Sequence, residues 1–326
     1  MRPMKTRLNL ATILAFAIIL TLFSACLLAA RGDDKAAEKP RPSKGQDALA
    51  ALEKAKEQLA PKYLLAYKFT KGEQFRTKVI HLATVETKIK GVAQPTRSRT
   101  VSTRQWRIKD VAANGNITFE NIVERVEMWN SVEGRQEMKY DSAVDKSPPP
   151  QFEQVASSIG KVLAIVTIEP NGRIVARQDA QKQFNPGIGE LTIPFPNGAI
   201  KAGSTWPVDD EVGIRLEGGA YKKVQTRQQY KLEKVEAGVA TITLETQVLT
   251  PVNDPKVQVE LVQRLQRGTI KFDLDAGRLI HKQLDMDQSV FGFDGEDSHM
   301  QYLARFTEEP IGEEKTAQSG QTETTR

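Results

Sequence analysis

The chain contains very few of the residues from which metal and disulfide sites are built. Its 326 residues include one cysteine and three histidines. A single cysteine excludes an internal disulfide and any zinc or iron–sulfur site that needs several cysteine ligands. A histidine-rich metal cluster is not expected with so few imidazole groups. The sequence therefore predicts no bound cofactor and no metal.

The chain also lacks a large charge excess of either sign. It carries 46 Lys+Arg against 41 Asp+Glu, and three of the basic residues lie in residues 1–30, which contain no acid. The rest of the chain is therefore almost balanced, which gives no electrostatic reason to bind nucleic acid. With 39% apolar and 27% charged residues, the composition is that of a globular protein rather than a collagen-like, disordered or polytopic membrane protein.

Residues 1–30 have the pattern of an export signal. Arg2, Lys5 and Arg7 precede an uncharged, mostly apolar run over residues 8–30. Three fates stay open: lipidation of Cys26 after a lipobox-like stretch, cleavage near Ala30, or retention as a membrane anchor. Each fate places the rest of the chain outside the cytoplasm, in the cell envelope or periplasm. The first and third tether it to the membrane through its N-terminus.

The remaining chain divides into a polar N-terminal segment, a long body and a polar C-terminal segment. Residues 31–61 read as a flexible tether followed by a short helix that stops before Pro61. Residues 308–326 have almost no apolar content, so we expect a disordered tail. The body is therefore predicted to span residues 62–307.

Alternation of apolar and polar residues dominates the body, and this period is typical of half-buried antiparallel strands. It predicts a mainly β protein with long antiparallel strands, in one curved sheet or two related sheets. One segment, residues 151–163, instead has helical spacing and predicts a single packed helix. The alternating positions include Leu65, Tyr67 and Phe69; Phe75, Thr77, Val79 and His81; Ile270 and Phe272; and Tyr302, Ala304 and Phe306.

The two halves of the body resemble each other. Three short segments recur in the same order: residues 72–75 and 203–206, residues 105–111 and 229–235, and residues 171–175 and 276–280. The favoured interpretation is an internal duplication, with half-repeats of about 62–180 and 200–307. The alternative is that β-hairpins with similar turns look alike.

Several of these motifs resemble an uncharacterised family of exported bacterial β-rich proteins. The resemblance covers roughly residues 60–305. It implies export and a β architecture, and it implies no activity and no catalytic residue. The motifs are Tyr67-Lys68-Phe69 with Gly72-Glu73, Tyr140-Asp141-Ser142, Gly203-Ser204-Thr205-Trp206, and Phe272-Asp273 with Ala276-Gly277-Arg278.

One polar strand carries the strongest hint of chemistry. His281, Asp285 and Asp287 share one face of a predicted strand, and His299 follows beside Asp297. An imidazole and two carboxylates could form a weak metal or acid–base site. The favoured interpretation is the solvated face of an amphipathic strand.

Two further features have competing interpretations. Residues 273–277 imitate the start of a calcium loop, but Leu284 at the twelfth position cannot bind calcium, which favours a hairpin turn. Trp106, Trp129 and Trp206 are expected in the core, although an exposed Trp129 could stack on a sugar or another partner.

These features predict a non-enzymatic, envelope-associated β-protein that binds a hydrophobic ligand or another envelope component. The first alternative is a structural lipoprotein without a ligand cavity. The second is an exported hydrolase that uses the strand near His281.

Overall fold

The computed structural model describes residues 59–180, 191–216, 219 and 221–312. The predicted signal or anchor, the lipidation site Cys26, the tether and most of the short helix lie outside the described residues. Among the described residues, no helix has the length and apolarity needed to cross a membrane.

The body is mainly β, as predicted, and all its strand pairs are antiparallel. Twelve strands form one large sheet, and two short strands, β1 and β8, form a second. The strands are β1 (Lys62–Tyr63), β2 (Gln74–Ile89), β3 (Val92–Val111), β4 (Ile117–Val132), β5 (Met138–Asp141), β6 (Val162–Ile168), β7 (Ile174–Asp179), β8 (Ile200–Lys201), β9 (Thr205–Arg215), β10 (Tyr221–Glu236), β11 (Val239–Val248), β12 (Arg267–Asp273), β13 (Arg278–Phe291) and β14 (His299–Pro310).

The large sheet joins the first and last long strands of the body. Its order is β7-β6-β4-β3-β2-β14-β13-β12-β11-β10-β9, and β5 pairs with the outside of β4. We call the β2–β14 pairing the seam, because it joins the two halves of the chain into one sheet. Of the strands, only the short β8 lies between the edge strands β7 and β9 in chain order, so the large sheet opens between the halves.

The two faces of the sheet differ as the alternation predicted. On β13, Lys282, Leu284 and Met286 are buried on the inner face, whereas His281 and Asp285 lie on the opposite, outer face. Successive side chains of a strand point to opposite faces, so this burial pattern fixes the register of the strand.

An irregular segment crosses the inside of the sheet and joins its halves. The Tyr67 ring packs against Trp106 of β3, Phe272 of β12 and Phe195, with ring centroids 6.2, 5.3 and 5.5 Å apart. The Tyr67 N–H donates to the carbonyl of Pro170, in the β6–β7 turn. Because one aromatic cluster contacts both halves, the sheet curls around a shared core.

The repeated sequence segments occupy matching places in the two halves. The Gly72 N–H donates to the Ile108 carbonyl at 3.0 Å, and the Gly203 N–H donates to the Leu232 carbonyl at 2.6 Å. When residues 105–111 are aligned with 229–235, Ile108 and Leu232 are equivalent positions. The half-repeat boundaries and the duplication itself stay predictions.

The helix predicted over residues 151–163 is much shorter than expected. A 3₁₀ turn (Pro150–Phe152) leads into α1 (Glu153–Ala156), and β6 already begins at Val162. The Ser157 and Ser158 hydroxyls donate to the carbonyls of Gln154 and Val155, which competes with continuation of the helix. The buried side of this segment still packs against the sheet through Phe152.

A second helix, α2 (Pro255–Leu261), was not predicted. Its start is capped by Asp254, whose carboxylate accepts a hydrogen bond from the Lys256 N–H at 2.9 Å. Val257, Val259 and Leu261 are buried, so α2 covers part of the inner face.

The disordered tail is predicted from residue 308, but this start lies before the end of β14. β14 continues to Pro310, and Glu308 is 4% exposed. The sequence suggested a polar tail because Glu308 and Glu309 look hydrophilic. Glu308 is nevertheless buried, because it pairs with the equally buried Lys282 on β13.

Candidate binding surface

A single row of directly paired residues crosses the outer face of the large sheet. Each member faces the next across a strand pair, from β5 to β11. Directly paired residues of antiparallel strands lie on the same face, so their side chains are neighbours. We call these residues the outer row: Lys139, Trp129, Arg99, Leu82, Arg305, Asp285, Arg267 and Glu245.

Three neighbouring hollows lie along the outer row. The central hollow, of about 610 Å³, is lined by Leu82, Arg99, Trp129 and Arg305, among others. A second, of about 460 Å³, shares Arg99 and Trp129 with it. The third, of about 520 Å³, shares Arg267 and Asp285 with it and extends past the start of β12 to Leu261 of α2, on the inner side of the sheet. Because they share lining residues, the three hollows are neighbours along the row.

The floor of the central hollow is aliphatic and lies on the seam. Leu82 of β2 and Leu303 of β14 are 42% and 41% exposed, which is high for leucines in the middle of a sheet. Burial of such side chains by a ligand is favourable, at about 25 cal/mol per Å² of apolar surface. The floor can therefore contribute affinity for a partner.

Apart from Trp129, charged side chains line the rest of the row, and most of them are engaged. Arg305 donates to Asp285 at 2.6 Å. Arg99 pairs with Glu127, and Lys139 pairs with Glu137. The hydrogen bond and charge of Asp285 raise the pKa of Arg305. Within the described part of the chain, Arg267 has no ion pair or side-chain hydrogen bond, and its guanidinium stays available.

Trp129 is the tryptophan on which the favoured sequence interpretation was wrong. Trp106 and Trp206 are buried as expected, at 5% and 6% exposure, but Trp129 is only partly buried and lines two of the hollows. Its Nε1–H donates to Glu137 at 3.1 Å, which lowers the pKa of that carboxyl. The indole is thus held in place at the surface.

The structure places His281, Asp285 and Asp287 on one face but does not gather them into a site. His281 Nδ1 lies 2.8 Å from Glu309 Oε1, whereas Asp285 is bound by Arg305 and also accepts from Gln283. His299 of β14 stacks on Phe291 of β13, and Phe291 lies ten residues after His281 along β13. In the described residues, no group of three or more His, Cys, Asp or Glu side chains could hold a metal ion.

The calcium-like segment is a hairpin turn. The backbone N–H groups of Asp275 and Ala276 both donate to Asp273 Oδ1 at 2.8 Å, and Gly277 has a φ of +64°. The carboxylate at the start of the motif is therefore used to stabilise the turn. The predicted hairpin is correct.

The inner face under the seam carries an ionic cluster. Glu308 Oε2 lies 2.6 Å from Lys282 Nζ, and Thr77 donates to Glu308 Oε1 at 2.9 Å. Burial opposes ionisation of Glu308, but the charges of Lys282 and Arg104, with the two hydrogen bonds, outweigh it and lower its pKa. Burial, helped by the charge of Arg104, lowers the pKa of His81 as well.

The void that the described residues leave in the aromatic core is too small for a ligand. The void bounded by Tyr67, Trp106 and Ile193 is about 10 Å³, which is no more than one water molecule occupies by this measure. Ligand sites are typically about 300–1,000 Å³. The hollows of ligand size described above all open on the surface.

Comparisons with known proteins match this chain to no characterised family. No protein-family model matches it, and no curated protein does. That result is consistent with the resemblance to an uncharacterised family.

Solved structures give only weak similarities. A lipovitellin structure is 12% identical over 75% of this chain and 26% of that chain, with a TM-score of 0.38. The translocator domain of the autotransporter NalP from Neisseria meningitidis is 7% identical over 81% of this chain and 95% of that chain, with a TM-score of 0.27. The Salmonella secretin InvG is 8% identical over 83% and 67%, with a TM-score of 0.18. This chain spans about a quarter of the lipovitellin chain. Similarities at these scores carry no argument about function.

Proposed function

We propose that this chain is a non-enzymatic, extracytoplasmic protein whose β-rich body binds another component of the cell envelope along the outer row. The observation that carries the proposal is the set of three neighbouring hollows with an aliphatic floor at Leu82 and Leu303. An exposed apolar floor rimmed by polar groups is characteristic of interaction sites. The export pattern of residues 1–30 supports a location in the envelope.

Tethering of the N-terminus to the membrane would leave the body free to meet its partner. Lipidation of Cys26 or retention of the apolar segment would each provide such a tether. The polar residues that follow supply reach between the membrane and the body.

The pairing of the polar groups supports binding rather than catalysis. Two of the three members of the hypothetical acid–base site are engaged by other residues, since Asp285 binds Arg305 and His281 binds Glu309. A general base must lie within hydrogen-bond reach of the proton it removes, together with its orienting partner. The outer row presents charged side chains and the Trp129 indole, which Glu137 holds in place, and such groups are suited to binding a partner.

A sedimentation experiment tests the proposed function. The purified full-length chain, kept in detergent, is mixed with a delipidated envelope preparation from the cells that produce it. Detergent removes any contribution of the N-terminal tether. We expect the wild type to sediment with the envelope and the double variant Leu82→Glu/Leu303→Glu to stay in solution, because two carboxylates would replace the apolar floor.

The matched control is Val92→Glu/Tyr221→Glu, which adds the same charges at positions that are 70% and 69% exposed and lie outside the row. It should sediment like the wild type. Equal sedimentation of the wild type and the Leu82→Glu/Leu303→Glu variant would overturn the proposal. This result would favour the alternative of a scaffold protein that binds nothing on this face.

A further inference from the structure

The cations of the outer row are regularly spaced. Lys139, Arg99, Arg305 and Arg267 occupy every second place, on β5, β3, β14 and β12. Neighbouring strands lie about 4.8 Å apart, so successive cations are about 10 Å apart at the backbone. The whole row, from Lys139 to Glu245, crosses seven strand intervals, or about 34 Å.

We propose that the outer row binds an extended acidic polysaccharide that carries one anionic group per disaccharide. This inference rests on the proposed function and names the chemical class of the envelope component. The spacing between successive cations is close to the length of a disaccharide. A chain with one carboxylate or similar group per repeat would therefore meet a cation at each repeat along the row.

The shape of the surface favours a polymer over a lipid. The hollows are open to solvent and follow one another along the row, so a ligand would be covered on one side only. An acyl chain lying there would keep much of its apolar surface in water, which is unfavourable. A polysaccharide keeps its outward hydroxyls hydrated while its inward side contacts the protein.

The location on a sheet face favours a polysaccharide over an extended peptide. Extended peptides usually add to a sheet edge, where unpaired backbone groups supply the hydrogen bonds. Apart from Lys139 on β5, which pairs with β4, the row instead lies on interior strands whose backbone groups are used in the ladders on both sides. Recognition must therefore come from side chains, and sugars are well suited to this because they carry many hydroxyls and no backbone amide ladder.

The side chains of the row match the parts of an acidic sugar chain. The Trp129 indole offers an aromatic surface of the kind that packs against a sugar ring, and its polar edge is already fixed by Glu137. Asp285 and Glu245 can accept hydrogen bonds from hydroxyls. Arg267 has no ionic partner among the described residues, and a guanidinium binds a carboxylate through two parallel hydrogen bonds.

The balance of charge in the central hollow favours an anion. Its lining includes four arginines, at positions 97, 99, 267 and 305, against the carboxylates of Asp285 and Asp287. Like Arg267, Arg97 makes no ion pair within the described ranges. The attraction should weaken with added salt, because exposed charges are screened within about 10 Å at 0.1 M ionic strength.

Isothermal titration of the full-length chain in detergent with hyaluronate oligosaccharides tests the inference, since hyaluronate carries one carboxylate per disaccharide. We expect an octasaccharide to bind more tightly than a tetrasaccharide, because it reaches all four cations. Arg99→Gln/Arg267→Gln should weaken octasaccharide binding about tenfold or more, since charge-assisted hydrogen bonds are lost. The control, Arg215→Gln/Lys161→Gln, removes two exposed cations outside the row and should bind like the wild type.

Three results would overturn the inference. The first is equally tight binding of neutral dextran, and the second is tighter binding of poly-glutamate, which would point to an acidic peptide. The third is an unchanged affinity in Arg99→Gln/Arg267→Gln. If the wild type sediments with the envelope but fails these titrations, the polysaccharide inference falls and the proposed function stands. If the Leu82→Glu/Leu303→Glu variant sediments like the wild type, the proposed function itself is wrong.

Discussion

Lys282 and Glu308 form an ion pair of 2.6 Å on the inner face of the sheet, with each side chain only 5% exposed. The pair joins β13 to β14, one strand from the seam, and Thr77 of β2 extends it across the seam by a hydrogen bond to Glu308. The two halves of the chain are thus held together by a buried polar contact beneath the proposed binding surface.

Breaking this pair should strongly destabilise the fold. Lys282→Met would leave Glu308 buried without its partner, at a cost of about 3–5 kcal/mol in the free energy of unfolding. Lys282→Met/Glu308→Gln should cost less than the sum of the two single variants, because the orphaned carboxylate is also removed. Urea unfolding of the four proteins measures this coupling, and additive effects would contradict it.

The contribution of Glu308 should depend on pH in a defined direction. Its pKa is lowered in the folded state, so the unfolded chain binds a proton first as the pH falls. The stability that it contributes is fully present above about pH 4.3, the ordinary glutamate pKa, and is lost as the pH falls through the lower folded value. The stability difference between wild type and Glu308→Gln should therefore be smaller at pH 3 than at pH 7. A difference that stays constant would show that the pKa of Glu308 is the same in the folded and unfolded states.

His81 should make the protein less stable in mild acid. Its pKa is lowered in the folded state, and Nε2 is buried without a hydrogen-bond partner in the described structure. The charge of Arg104 adds to the effect of burial, and the Lys282–Glu308 pair lies on the same inner face. The free energy of unfolding should have its full value above about pH 6.5. It should fall below that pH, because His81 becomes protonated in the unfolded chain first. His81→Leu should reduce the stability lost between pH 7 and pH 5, as measured by urea unfolding; an identical loss in both proteins would contradict this.

Gly277 should tolerate a methyl group much less well than Gly91. Both residues have positive φ, +64° and +80°, so alanine costs about 1–2 kcal/mol at either position. A Cβ at Gly277 would additionally lie 2.6 Å from the Lys68 backbone nitrogen, whereas Gly91 has open space. We expect Gly277→Ala to lower the thermal midpoint by several degrees more than Gly91→Ala. Equal midpoints would show that residues 67–68 do not pack closely on this turn.

Cys26→Ser should identify the fate of the leader. A lipoprotein needs this thiol for acylation, so the variant would remain an unprocessed precursor. Cleavage near Ala30 would give the same mature mass in both proteins, whereas an uncut anchor would leave both at full length. Mass spectrometry of the wild type and the variant distinguishes these outcomes. Normal processing of the variant would exclude lipidation.

The sequence predicted the faces of the strands well and their partners poorly. Alternation placed His281 and Asp285 on the solvated face of β13, because a strand of period two with one buried face has only one favourable orientation. Strand pairing is non-local, however, and Arg305 meets Leu82 only because β14 returns to β2. The outer row therefore has no signature in any single segment of the chain.

The remaining differences have local physical causes. Glu308 looked like part of a polar tail because its buried partner Lys282 lies on another strand. Trp129 looked like a core residue because burial gains the most from large aromatics, yet its Nε1–H has a partner, Glu137, at the surface. In both cases a polar contact with another segment determined the environment of the side chain.

The three tryptophans allow the most direct test of the outer row as the binding surface. The full-length chain is labelled with 5-fluorotryptophan, and Trp129→Phe assigns the Trp129 resonance in the fluorine NMR spectrum. A soluble acidic glycan fraction from the envelope is then added until binding is saturated. The structure predicts that the Trp129 resonance shifts while those of the buried Trp106 and Trp206 stay in place. Saturated binding with an unchanged Trp129 resonance would contradict the assignment of the outer row as the binding surface.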